Sequence, residues 1–116
     1  ITSHLPHLIA YNLVKTAIDL EKKGSNSKIV NFSAGGLRDF SRIASSNEIM
    51  WKDISIANSR FIVRNINYFI KNLKILKRLI SKKDGNKLKN IFKKTKIIRK
   101  RIILAKQDLN LPDFGR

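Results

Sequence analysis

The chain has 116 residues, carries 25 Lys and Arg against 8 Asp and Glu for a net charge of +17, and contains no cysteine. That length supports one small core rather than two, and the lack of thiols excludes a disulfide framework and a thiolate metal site. No apolar run reaches the length of a membrane span or fits a signal peptide, and a reducing, cytoplasmic setting fits the composition. The charge is uneven: residues 1–58 hold seven Lys/Arg and five Asp/Glu, residues 59–116 hold eighteen and three, giving +2 and +15. A basic half is the usual footprint of a nucleic-acid or acidic-membrane partner. Here the excess is mostly lysine among isoleucine and asparagine, all encoded by A/T-rich codons, so base composition accounts for it and nucleic-acid binding is the lesser reading.

Residues 2–23 read as an amphipathic helix, with Leu5, Leu8, Ile9, Leu13, Val14, Ala17 and Leu20 at helical spacing. Ser3 is placed to cap it, Pro6 is tolerated in a first turn, and Gly24 supplies the stop after Lys22 and Lys23. His4 and His7, three apart, share one side of this helix. With no third ligand nearby they read as neutral donors and acceptors, structural or ligand-binding, rather than as a metal site.

A polar loop over Ser25–Asn31 leads to the stretch Ser33–Trp51, around which the chain is organised. Gly35 and Gly36 open it and let a ligand approach the backbone. Arg38 and Arg42, four apart on one helical face, each offer a planar fork that fits a carboxylate. Ser46 or Asn47 then caps a helix to about Asn58 that carries Trp51 and turns Ile49, Met50, Ile54 and Ala57 inward. The bland reading of the same stretch is a helical corner with solvated arginines.

From Ser59 to about Lys82, Ile62, Ile66, Phe69, Leu73, Leu76 and Ile80 step by four and three, and Phe61, Tyr68 and Ile75 widen the stripe. Asp84-Gly85-Asn86 makes a turn, and Leu88, Ile91, Phe92, Thr95, Ile98, Ile102 and Ala105 repeat the stepping in an antiparallel partner helix. The tail Asp108–Arg116 reads as extended. No alternating strand pattern of useful length occurs, so the expected fold is all-α, a bundle of about five helices. So broad a stripe in so short a chain predicts an intertwined homodimer that buries roughly 1,000 Å² or more.

The Ser33–Trp51 stretch, with Ser3-His4-Leu5-Pro6-His7 before it and Trp51-Lys52-Asp53-Ile54 running to Ala57-Asn58 after it, resembles the C-terminal helical domain of the prephenate/arogenate dehydrogenase family. The tail, Gln107-Asp108 with Pro112-Asp113-Phe114-Gly115-Arg116, resembles the end of the cyclohexadienyl dehydrogenase branch. The resemblance covers nearly the whole chain and implies one domain, 1–116. It implies an enzyme that oxidatively decarboxylates prephenate or arogenate with NAD or NADP on the way to tyrosine. The Rossmann half and the general-base histidine precede the helical domain in that family. No G-x-G-x-x-G fingerprint occurs here, so the chain is expected to be a piece of a longer protein, inactive alone.

By position, the resemblance implies that Arg42 grips a substrate carboxylate, with Arg38 one turn away as second choice. It places His7 on substrate or product with His4 beside it, Gly35 and Gly36 where the backbone meets the ligand, and Trp51 at the site wall. Some of these contacts come from the neighbouring subunit in that family, which ties the site to dimerisation. Ala34, Leu37 and Ser41 depart from the usual glycine, aromatic and threonine, which affects the shape of the pocket more than the family.

Overall fold

The computed structural model describes residues 3–23 and 35–105. Over them run five helices and no strand: α1 (His4–Lys22), α2 (Gly35–Ile43), α3 (Glu48–Ala57), α4 (Ser59–Ser81) and α5 (Gly85–Leu104). The expected stop at Gly24, the loop Ser25–Asn31 and the tail Asp108–Arg116 lie outside the described residues. The chain divides into two units, Ile1–Ile66 and Asn67–Arg116, with the boundary inside the continuous α4.

In the first unit, α1 and α2 are the helices whose backbones approach closely along their lengths. Ser3 holds the N-cap position of α1, yet its hydroxyl makes no capping bond. Its carbonyl works instead, accepting from the His7 backbone N–H at 3.3 Å and from the His7 ring at 2.9 Å. The Tyr11 hydroxyl donates to the Ser46 carbonyl at 2.8 Å and pins α1 to the corner between α2 and α3. Ala10, which the apolar stepping passes over, is fully buried at 0% exposure, and Trp51 and Ile62 complete the buried set of this unit.

Asn47, not Ser46, caps α3: its side-chain oxygen accepts from the backbone N–H of Ile49 and of Met50, both at 2.9 Å. The inward face of α3 differs from the expected one. Ile49 is 61% exposed, Met50 and Ala57 are also exposed, and of the expected inward set only Ile54 is partly covered. The covered stripe is Trp51, Ile54, Ser55 and Asn58, spaced i, i+3, i+4, i+7. Its polar members are hydrogen-bonded: Ser55 donates to the Trp51 carbonyl at 2.7 Å and Asn58 reaches His4. A stripe half polar but satisfied can be buried, whereas an apolarity count puts it on the wrong side.

In the second unit, α4 ends in a Schellman arrangement. The Asp84 N–H donates to the Leu79 carbonyl at 2.9 Å, the Lys83 N–H donates to the Ile80 carbonyl at 3.0 Å, and Lys83 sits at φ 54. The reversal therefore falls on Lys82–Asp84, two residues before the expected Asp84-Gly85-Asn86. Gly85 is already the first residue of α5, and Asp84 caps that helix by accepting from the Lys87 N–H at 3.2 Å. Beyond the turn, α4 and α5 do not close into the expected antiparallel pair with backbones packed along their lengths. Among the described residues of this unit Leu79 is the buried apolar one, while Phe69, Leu73, Ile80, Phe92, Ile97, Ile98 and Leu104 stay exposed. Residues 67–105 carry fourteen Lys/Arg and one carboxylate, Asp84, and self-repulsion on that scale opposes closure of the two helices on each other.

Candidate functional site

The site is built around Trp51. The Asn47 cap starts α3 and sets its rotation, which turns the indole inward until it is 6% exposed. The His7 imidazole stacks on it, ring centroids 4.2 Å apart and planes 15° from parallel. The His4 imidazole meets it edge-on at 5.8 Å and 88°. Such aromatic pairs add about 0.5–1.5 kcal/mol each beyond the area they bury. Each histidine is also held by a hydrogen bond: His7 Nδ1 donates to the Ser3 carbonyl at 2.9 Å, and His4 Nδ1 accepts from the Asn58 amide at 3.0 Å. The indole N–H is buried and has no hydrogen-bond partner among the described residues. An unmet buried donor costs about 1–3 kcal/mol.

The structure brings His4, His7 and Trp51 together through direct ring contacts. Arg42, Arg38, Gly35 and Gly36 stand on the neighbouring α2. Arg42, in its last turn, lies 3.5 Å from the Asp39 carboxylate, with the two side chains 39% and 33% exposed. A pair this long and this wet is worth under about 1 kcal/mol, and it leaves most of the guanidinium fork open to another carboxylate. Arg38 is exposed, and its carbonyl accepts from the Ser41 hydroxyl at 2.7 Å. At Gly35 and at Gly36 a β-carbon would meet nothing within 4 Å. The space that the glycines keep clear is thus not filled by described residues of this chain.

Two residues escaped the sequence reading. Asn58, read there only as the end of a helix, holds His4, and its signal was the seven-residue spacing from Trp51. Asp39, the partner of Arg42, was marked by sitting three positions before it on the same helical face.

Residues 1–94 match the family model described as prephenate dehydrogenase, dimerization domain, and the chain belongs to that family. The cyclohexadienyl dehydrogenase of Zymomonas mobilis is 40% identical over 95 residues, which is 82% of this chain and 32% of that protein. The prephenate dehydrogenase of Lactococcus lactis is 31% identical over 112 residues, 97% of this chain and 30% of the relative. Among solved structures, the crystal structure of prephenate dehydrogenase from A. aeolicus in complex with hydroxyphenyl propionate and NAD+ superimposes with a TM-score of 0.79 at 37% identity, over 88% of this chain and 35% of that one. The chain thus spans about a third of the length of these relatives, and none of them supports a nucleic-acid module.

Proposed function

We propose that this chain is the dimer-forming, substrate-binding part of an enzyme that oxidatively decarboxylates prephenate or arogenate in tyrosine biosynthesis, in the cytoplasm. The observation that carries the reading is the His4–Trp51–His7 cluster with its buried indole N–H, unpartnered among the described residues, in a chain of this family. In this reading the domain runs over 1–116, beyond the matched 1–94.

The roles follow from chemistry. Prephenate is a dicarboxylate, and Arg42 offers two parallel N–H donors to one of its carboxylates. Arg38, one turn away, is the reserve cation. Trp51 and the two imidazoles hold the ring end of the substrate and shield it from water. Gly35 and Gly36 let substrate approach the α2 backbone. The reaction passes a hydride to NAD or NADP as the substrate loses carbon dioxide. The residues described here do not fit that cofactor: they form no strand, and the two glycines open a nine-residue helix instead of the βαβ turn that cradles a dinucleotide. No redox step is assigned to this chain, which binds and orients.

A homodimer belongs to the same reading, supported by the family description and by the exposed apolar residues of α4 and α5. The test is Arg42→Ala in the complete enzyme. Loss of a charge-assisted carboxylate contact worth about 1.5–3 kcal/mol raises KM for prephenate by tenfold or more. An unchanged KM would overturn the assignment of Arg42.

A further inference from the structure

Base composition sets how much lysine a chain holds, not where along a helix it stands. On α4 the polar positions keep register with the apolar stripe. Asn67 stands two residues before Phe69, Lys71 two before Leu73, Lys74 two before Leu76 and Arg78 two before Ile80. Two residues turn a helix by about 200°, so these side chains leave α4 on the side opposite the stripe. The sequence repeats the offset at Arg60 and Ile62 and at Arg64 and Ile66. α4 contains no carboxylate. Lys71, Lys74 and Arg78 are exposed, and among the described residues none of them forms an ion pair. With Asn67, Ile70 and Ile75 they border an open cleft of about 510 Å³. We propose that this face of α4 is a docking surface for a second protein, through a helix that carries carboxylates at heptad spacing and lies along α4.

The spacing selects the kind of partner. Steps of four and three are the period at which one helix meets another along its length. A partner helix with carboxylates in the same steps sets one opposite each of Lys71, Lys74 and Arg78. Ile70 and Ile75 flank these cations on either side and give its aliphatic side chains an apolar edge. An extended polyanion has no reason to follow a helical repeat. A second copy of this chain is excluded as the occupant through α4 or α5, since neither helix contains a carboxylate and cations would meet cations. Homodimerisation uses the other side of α4. A dimer that covers Phe69, Leu73 and Ile80 leaves the cationic face open on both copies, and in this respect the inference rests on the dimer proposed above.

The experiment titrates the complete enzyme into two labelled synthetic helical peptides at low salt, read by fluorescence anisotropy. One carries glutamates in steps of four and three, the other the same residues in scrambled order. The registered peptide should bind about tenfold more tightly than the scrambled one, and more weakly as salt rises. Equal affinity for both peptides overturns the proposal, because the face then reads charge alone. Tighter binding of a DNA or RNA duplex than of the registered peptide overturns it in favour of a nucleic acid. Lys71→Glu, Lys74→Glu and Arg78→Glu together should lose the registered peptide and gain its counterpart with lysine for glutamate. Lys93→Glu, Lys96→Glu and Lys100→Glu, the same charge change on α5, should keep it, and loss in both variants overturns the assignment to α4. If circular dichroism shows that reversal lowers helix content, glutamine at positions 71, 74 and 78 should remove the discrimination with the helix intact. Prephenate kinetics should be unchanged in each variant. Failure of the dimer reading looks different: a protein monomeric by sedimentation that still discriminates between the peptides.

Discussion

Gly35 and Gly36 occupy the first turn of α2, where a β-carbon would meet nothing within 4 Å. Folding within the chain therefore does not ask for glycine at either place. Alanine is the better helix former by up to about 1 kcal/mol, so Gly35→Ala should hold or raise the melting temperature. If substrate approaches the backbone here, the same variant raises KM severalfold. Thermal unfolding and steady-state kinetics separate the two effects, and a variant that melts earlier with KM unchanged would mean that the glycine serves the fold. The residue scale also holds the least legible part of the site. His4, His7 and Trp51 could be named from the sequence, but the His4 ring is held by Asn58, which marks itself only by its place on the Trp51 face of α3.

Among the elements, the link between α4 and α5 carries visible backbone strain. Lys83 sits at φ 54, in the left-handed region where a β-carbon crowds the backbone. The Schellman bonds from Asp84 and Lys83 keep it there. Lys83→Gly should stabilise the protein by about 0.5–1 kcal/mol by removing that crowding, less whatever extra freedom glycine gains in the unfolded chain. The rise in denaturation midpoint reports it, and a fall would mean that the lysine side chain makes a compensating contact. That a turn lay near here was readable from Asp84-Gly85-Asn86. Its position two residues earlier was not, because the sequence offers glycine at the start of α5 and lysine at the strained site.

At the scale of the whole molecule, a single copy leaves much of its apolar surface in water. Leu73, midway along the heptad-spaced stripe of α4, is 51% exposed, and Phe69, Ile80, Phe92 and Ile98 are exposed as well. A dimer that covers these side chains gains about 25 cal/mol for every square ångström of apolar surface it buries. Leu73→Glu tests this directly. On an isolated α4 the new carboxylate is harmless and can pair with Lys77 four residues on, whereas inside an interface it is a desolvated charge. Sedimentation should show dissociation with helix content retained. A variant that remains dimeric would place the interface elsewhere.

Residue order by itself determined that the chain is helical, roughly where its helices begin and end, and that α4 carries an apolar stripe of heptad spacing. These are short-range matters of spacing, capping and breaking, set within a few turns of chain. It also carried the residues that mark the family. What only the tertiary structure decided was the rotation of α3, with Trp51, Ser55 and Asn58 inward and Ile49 and Met50 outward, and the failure of α4 and α5 to pack on each other within one chain. The first is settled by partners distant in sequence, the second by the like charge that the two helices share. Trp51 finds the imidazoles of α1, 44 and 47 positions earlier, and polar side chains can be buried once such partners satisfy their hydrogen bonds.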